Sequence, residues 1–485
     1  MDRKQLPVGS GNDQAEEVLL DEVLRFIAWS GQVKAPEDRL AEGREKRKRL
    51  VSELAQYGSE SSFGGSKIHT GDLSPGCMTC GQGTWSCMYV NRECTAHCFF
   101  CPQDRKPPAE GPPLAEDIPF EQLDGYLGYL TRMEFEGVGI SGGEPLLAIE
   151  QILPMIEGIK ERFGQQIYLW LYTNGDLAEP DRLEALADAG LDEIRFNIVA
   201  RRYDLEPVIL ARRFIPKVTV EIPAIPEDYD RLVGILDKLA TIPIDFLNIH
   251  QLVATRHNYG VLRKKKYTFL PPADFREPPV LESELTALSV MRYALTNDIP
   301  IPINYCSHVY KARYQGSARR IRAAILARRS YERVTDAGFL SRLEVDITDA
   351  DHSGLISALE QNGVPSELWK HDLENERFLC HPSLIGRLRE LGNRSSICYD
   401  EADILPQTIL RQRGFMAEEI VTLGPGIRVL SGRKPAAKPT KLGENEIAYL
   451  GQLGDHKHGY SGEDFPRGAA RLMPFEQLPY GLQVL

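Results

Sequence analysis

The chain is predicted to be an α/β protein, with a mostly parallel sheet in front and a smaller mixed α/β region behind. Three observations predict this. Short apolar runs alternate with amphipathic helical stretches from residue 86 to 305, the pattern of successive βα units. The runs end roughly every 25–30 residues, as right-handed crossovers require. At 485 residues the chain is too long for one ordinary core, so two or three domains are expected.

Strands are expected at 86–90, 135–140, 167–172, 193–199, 218–223, 246–251 and 299–304. Helices are expected at 120–133, 148–163, 179–189, 207–214, 227–240 and 282–297. Such units curl into a complete or partial barrel that works at the C-terminal strand edge. That edge collects Thr173, Asn174, Arg195, Asn197, Glu221, Asn248, His250 and Gln251. Arg195 and Asn197 share a face, as do Asn248 and His250, because side chains alternate along a strand. Each has a plain alternative as a capping or buried hydrogen-bonded group. His250 in particular reads more readily as a satisfied core histidine than as a catalyst.

The remaining segments follow by composition. Residues 1–68 read as a helical extension and linker, with an amphipathic helix at Ala15–Trp29, a highly charged one at Pro36–Tyr57, and a Ser/Gly-rich linker at 59–67. Residues 69–93 hold a cysteine-rich loop and the first strand, 94–310 the main α/β domain, and 335–485 a C-terminal α/β domain. Between the last two, 311–334 form a basic amphipathic helix, with eight Lys/Arg against one Glu up to Arg333. It suits an acidic peptide, a phosphate or tRNA, or simply bridges two domains. Residues 252–279 form an aperiodic insertion, read as a substrate entrance or a solvated loop. C-terminal strands are expected at 339–347, 396–399, 419–423 and 427–430, helices at 352–362 and 382–391, and a mobile loop at 432–442.

Composition narrows the class. Apolar content is 42%, with no run of membrane-spanning length and no signal-peptide core at the polar N-terminus. Nine cysteines without a secretory signal read as reduced thiols and metal ligands in the cytoplasm. A net charge of −12 argues against general nucleic-acid binding.

The chemistry concentrates at Cys94-Thr-Ala-His-Cys98-Phe-Phe-Cys101, spaced C-x3-C-x2-C. Three thiolates this close wrap one metal cluster, and a [4Fe–4S] cube normally takes four, so one iron is left open for a small molecule. A zinc knuckle or bystander thiols are the alternatives, although zinc sites usually bring paired C-x2-C units. Downstream lies Gly142-Gly143-Glu144-Pro145 at the end of an apolar run. Glycines at a strand end let backbone approach a ligand closely, and Glu144 is expected to hold an ammonium group. An open iron beside an amine site suits an amino-acid head group.

In these two motifs, in this order, the chain resembles the radical S-adenosylmethionine (SAM) superfamily. The resemblance implies a partial (β/α)6 barrel. It also implies a [4Fe–4S] cluster on Cys94, Cys98 and Cys101, and SAM held by Phe100, Gly142, Gly143 and Glu144, with Arg195, Asn197 and His250 on the later strands. The activity implied is reductive cleavage of SAM to a 5′-deoxyadenosyl radical, with an electron donor such as flavodoxin or ferredoxin.

Ahead of the cluster run Cys77, Cys80 and Cys87, read as ligands of a second iron or zinc ion or of an auxiliary cluster, with Cys306, Cys380 or Cys398 as the fourth and Cys306 favoured. With this loop the chain is similar to the methanogenesis marker protein 10 group, cobalamin-dependent radical SAM methyltransferases that methylate an arginine carbon in methyl-coenzyme M reductase. That similarity implies cobalamin in the C-terminal domain and methylation of an unactivated carbon in a peptide or protein. The chain departs from the group in its N-terminal extension and in a C-terminal domain that lacks an Asp-x-His-x-x-Gly signature. Two other readings are a cobalamin-independent peptide-modifying oxidoreductase and a non-catalytic metal-bound scaffold or RNA-binding adaptor.

Overall fold

The structure, a computed structural model, describes residues 24–103, 111–271, 277–346, 352–374, 377–453 and 467–482. Its centre is seven parallel strands paired in chain order: β1 (Trp85–Tyr89), β2 (Gly137–Ser141), β3 (Tyr168–Thr173), β4 (Glu193–Phe196), β5 (Lys217–Pro223), β6 (Phe246–His250) and β7 (Ile303–Cys306). Each apolar run expected to be a strand forms one. The last begins later than expected, at Ile303 instead of Ile299, because Pro300 and Pro302 have no N–H for the ladder. β4 stops at Phe196, and Ile198–Arg201 turns as a short 3₁₀ helix.

The crossover helices bury one stripe each. In the helix Ile149–Phe163 the buried set is Ile152, Met155, Ile156 and Ile159, the spacing of a single face. The helix Pro180–Ala189 starts on Pro180 and ends at Gly190 with φ +100°, the usual N1 proline and left-handed C-terminal glycine. Asp192, just before β4, accepts from Lys160 Nζ at 2.6 Å and from Leu169 N at 2.7 Å. It thereby ties helix, strand and loop together. Asp192→Ala leaves the Leu169 amide without this partner, so the expected cost is about 1–3 kcal/mol in chemical denaturation.

Two antiparallel hairpins extend the sheet to eleven strands, open at both ends. One, Glu60–Ser62 with Lys67–Thr70, pairs on β7. It replaces the linker expected at 59–67: the polar residues that suggested a loop find partners inside. Lys67 Nζ donates to Asn304 Oδ1 at 3.0 Å, and Thr70 Oγ1 accepts from Ile303 N at 3.0 Å. The other, Leu114–Ala115 with Ile118–Pro119, pairs on β1 through a turn in which Glu116 and Asp117 both have positive φ.

Of the helix expected at Ala15–Trp29, residues up to 23 lie outside the described residues and 24–30 are helical. The helix Glu37–Gln56 buries Leu50 and Leu54 and pairs Arg47 with Glu284 (2.5 Å) on the helix Leu281–Thr296.

The C-terminal sheet is antiparallel. Its strands are β8 (Leu340–Asp346), β9 (Trp369–Asp372), β10 (Arg377–Cys380), β11 (Arg394–Leu405), β12 (Met416–Gly424) and β13 (Ile427–Pro435), in the order β9-β10-β8-β11-β13-β12. The mobile loop expected at 432–442 is corrected here. Gly432–Pro435 pair with Asp400–Asp403, and Thr440–Lys441 pair with Ser396 and Ile397.

The helix Gly316–Ala327 joins the two sheets, and its arginines are spent there. Arg319 pairs with Asp403 at 3.3 Å, Arg320 donates to Ala337 O at 3.0 Å, and Arg322 donates to Met133 O at 3.0 Å. Among the described residues no helix is long and apolar enough to cross a membrane.

Candidate active site

Cys94, Cys98 and Cys101 line one cavity of about 420 Å³ at the C-terminal edge of the parallel sheet. Phe100, Gly142, Gly143, Arg195, Asn197 and His250 line it too. Residues from five successive strand ends therefore face one space.

The loop that carries the cysteines is held from three sides. From β1, Asn91 accepts Gly143 N on its carbonyl and on Oδ1, both at 3.1 Å, and returns a bond from Nδ2 to Glu144 O at 2.9 Å. From β3, Asn174 Nδ2 donates to Thr95 Oγ1 at 2.8 Å and reaches Cys94 Sγ at 3.7 Å. From the 252–279 insertion, Asn258 Nδ2 donates to Phe100 O at 3.0 Å and Thr255 Oγ1 to Pro102 O at 3.1 Å. The insertion read as a substrate entrance thus grips the cysteine loop.

The glycine pair is needed for this approach. A Cβ on Gly143 would stand 1.8 Å from Glu93 O, and one on Gly142 would stand 2.7 Å from Asn91 O. Both obstacles are backbone and cannot swing away. Gly143→Ala therefore displaces the cysteine loop, at an expected cost of about 1–3 kcal/mol in stability and with reduced iron retention after reconstitution.

Glu144 is placed differently from its expected role. It is fully buried behind the cavity wall, and its carboxylate accepts from Thr173 Oγ1 (2.8 Å), Asn174 N (2.8 Å) and Leu146 N (3.1 Å). Burial raises its pKa despite these donors. Instead of offering a free oxygen to an ammonium group, it fixes β3 against the Gly-Gly turn.

Behind the cavity runs a buried charge network. The Arg195 guanidinium donates to Glu193 (2.9 and 3.1 Å), Ser74 Oγ (2.9 Å) and Glu221 Oε2 (3.0 Å), and lies over the Trp170 ring. Glu221 also accepts from Asn248 Nδ2 at 2.8 Å and meets His250 Nε2 at 2.6 Å. Burial alone would raise the Glu221 carboxyl, but His250, Arg195 and these hydrogen bonds hold it well below the carboxylate range. Lys311 Nζ stands 2.7 Å from His250 Nδ1. As an ammonium can only donate, Nδ1 accepts and the ring proton sits on Nε2, facing Glu221. Burial and the Lys311 charge lower the His250 pKa against the pull of Glu221. His250 is therefore both a cavity wall and a satisfied buried histidine.

Cys77 and Cys80 lie on the helix Pro75–Gln82, capped by Ser74, and Cys306 ends β7. Cys77 Sγ is 3.6 Å from Asn248 Oδ1 and from Asn304 Nδ2, and Cys80 Sγ accepts from Gln315. Burial, followed by the Cys306 charge, pushes the Cys80 thiol up to about 11. Cys87, on β1, lines the same cavity as Cys94, Cys98 and Cys101, its amide bonded to Glu116 Oε1 at 2.8 Å. Cys380 and Cys398 belong to the C-terminal sheet, which leaves Cys306 as the nearest of the three fourth-ligand candidates.

Among the described residues no three His, Cys, Asp or Glu side chains are arranged to hold a single metal ion. A second iron or zinc ion on Cys77, Cys80, Cys87 and Cys306 stays a proposal, since such an ion would need its thiolates drawn within about 2.3 Å of one centre. A cube differs, because it spreads its thiolates over separate irons. The Cys94–Cys101 set fits such a group on its donors: three thiols outside any disulfide border one cavity with a glycine wall. Asn197 Oδ1, on the same wall, is buried without a hydrogen-bond partner.

A second cavity of about 980 Å³ opens between β1, the 114–119 hairpin, the helix Gly316–Ala327 and the C-terminal sheet. It shares Cys87, Arg92, Pro102, Gln103 and Lys311 with the first. Sequence reasoning missed the throat residue Lys311, the first of a basic run read as a surface helix.

Residues 88–221 match the Radical SAM superfamily. These residues form a radical SAM domain. A Methanocaldococcus jannaschii protein, provisionally named a glycyl-radical enzyme activating enzyme, is 28% identical over 307 residues, covering 61% of this chain and 80% of that protein. Among solved structures, SuiB of Streptococcus suis bound to its precursor peptide SuiA matches at 14% identity, 55% of this chain, 54% of SuiB and TM-score 0.34. The radical SAM methyltransferase TsrM of Kitasatospora setae, with cobalamin and a [4Fe–4S] cluster, matches at 15% identity, 46% of this chain, 49% of TsrM and TM-score 0.27. The chain spans about half the length of these two solved structures.

Proposed function

We propose that this radical SAM chain methylates an unactivated carbon of a peptide or protein with the help of cobalamin, as members of the methanogenesis marker protein 10 group do. The observation that carries the reading is the pair of adjoining cavities, which share five lining residues. The smaller has the three cysteines and the glycine wall; the larger, at about 980 Å³, is at the top of the range for cofactor sites of about 300–1,000 Å³.

A cluster on Cys94, Cys98 and Cys101 would supply the electron that splits SAM into methionine and a 5′-deoxyadenosyl radical, and cobalamin would supply the methyl group. The chain's own residues do the positioning. Gly142 and Gly143 bring backbone close to an amino-acid head group, and Asn197 offers an acceptor. The Arg195–Glu221–His250 network keeps the floor of the site dry and rigid. Phe99 and Phe100, edge to face at 5.3 Å, shield the cluster loop from water. The parallel sheet takes the role of the superfamily's partial barrel, and a flavodoxin or ferredoxin would deliver the electron.

Anaerobic reconstitution followed by incubation with SAM and dithionite tests the first step. Formation of 5′-deoxyadenosine is expected; its absence from a sample with a full complement of iron and sulfide overturns the enzyme reading. Corrin absorbance after reconstitution with hydroxocobalamin tests the second. An active preparation that never retains corrin leaves a cobalamin-independent peptide-modifying enzyme instead, for which the arginine- and carboxylate-lined larger cavity is also suited.

A further inference from the structure

We infer that the throat joining the two cavities is an oxyanion site, and that the group it holds belongs to the substrate. Five residues line both cavities, and two of them, Arg92 and Lys311, are cations. Lys311 is half-buried and Arg92 is exposed, and neither is paired with a carboxylate among the described residues. Among the described residues Arg92 has no ion pair or hydrogen bond from its side chain, and Lys311 has one bond, at 2.7 Å to His250 Nδ1.

That bond uses one of three ammonium hydrogens and leaves two for the throat. The groups facing Lys311 are His250 and His308, both with lowered pKa, and Glu277, within reach of its field but not ion-paired with it. Glu93 is the carboxylate beside Arg92 in the chain, and it too makes no ion pair with it.

The backbone at Lys311 is unusual as well. Lys311–Gln315 form a π-turn between the Ser307-capped turn and the helix Gly316–Ala327. Such single-turn insertions concentrate at functional sites, because the extra residue re-aims the side chains it carries. Here the turn sends Lys311 into the throat and Gln315 to Cys80. A point charge on one side and a guanidinium fork on the other suit a carboxylate or a phosphate.

The word substrate rests on the radical SAM reading; the oxyanion site itself does not. Binding is measured by calorimetry on cluster-reconstituted protein saturated with SAM, without reductant, using glutarate and methyl phosphate as separate probes and choline chloride as the control. Saturable binding of one or both anions is expected, and the better probe tells carboxylate from phosphate. Lys311→Met and Arg92→Gln should each weaken it about tenfold or more, Lys311→Arg should retain most of it, and Lys217→Met, at the far end of β5, should not change it.

Equal affinity in wild type, K311M and R92Q overturns the proposal. So does loss of anion binding when SAM is added, since the cations would then hold the SAM carboxylate. Arg92 lies on an exposed loop, so R92Q keeps the test decisive if K311M fails to fold. Scoring 5′-deoxyadenosine on the wild-type protein separates failure here from failure of the radical reading.

Discussion

Replacing Cys98 with alanine is expected to lower 5′-deoxyadenosine formation by about a hundredfold or more, with a matching loss of iron and sulfide after reconstitution. Cys94, Cys101 and Cys87 line the same cavity, but Cys87 lies on β1, outside the cysteine loop, with its amide on Glu116. A cube gripped by two thiolates instead of three is not retained through gel filtration. The control is Cys398→Ser. Its thiol, pushed up to about 12 mainly by burial, lies in the C-terminal sheet with Glu344 Oε2 at 3.6 Å. That variant should keep its iron and its cleavage activity, and a C98A protein with wild-type iron content would show that the cluster sits elsewhere.

Arg195→Ala should produce the largest loss of stability, about 3–5 kcal/mol. Arg195 is 3% exposed and its partner Glu193 is completely buried. Removing the guanidinium leaves Glu193 and Glu221 without their shared cation in a medium that solvates charge poorly. Glu193→Gln in the same background should recover part of the loss, because the orphaned charge is then gone. Guanidinium denaturation of all four members of the cycle reads the coupling. An additive double mutant would mean that the pair contributes no more than its separate parts.

Much of the parallel half was legible from the sequence because most of its strands are short apolar stretches buried on both faces and bounded by turn residues. The two cysteine motifs were legible for a related reason: metal chemistry fixes spacing in the chain itself. What escaped were elements whose polar residues are satisfied only in three dimensions. Lys67 looks like linker, and Thr70 like the start of the cysteine-rich loop, until Asn304 and the Ile303 amide arrive from more than two hundred residues away. Gly432 to Pro435 look like a loop until β11 pairs with them. Glu144 has the right position for an amine ligand, but its fate depends on Thr173 and Asn174, which sit on the next strand. Lys311 has no local mark at all, since a basic run on an amphipathic helix reads as solvated surface.

The hairpin that pairs on β7 also sets a timetable. The bond from Ile303 to Thr70 spans 233 residues, and ribosomes add about 5–20 residues per second. For some tens of seconds of synthesis, a strand with four buried positions has only its hairpin partner Glu60–Ser62 to lie against. During that interval its open edge is a site for wrong pairing, and a chaperone that shields residues 60–70 would raise the yield of the finished protein more than one acting on any later segment.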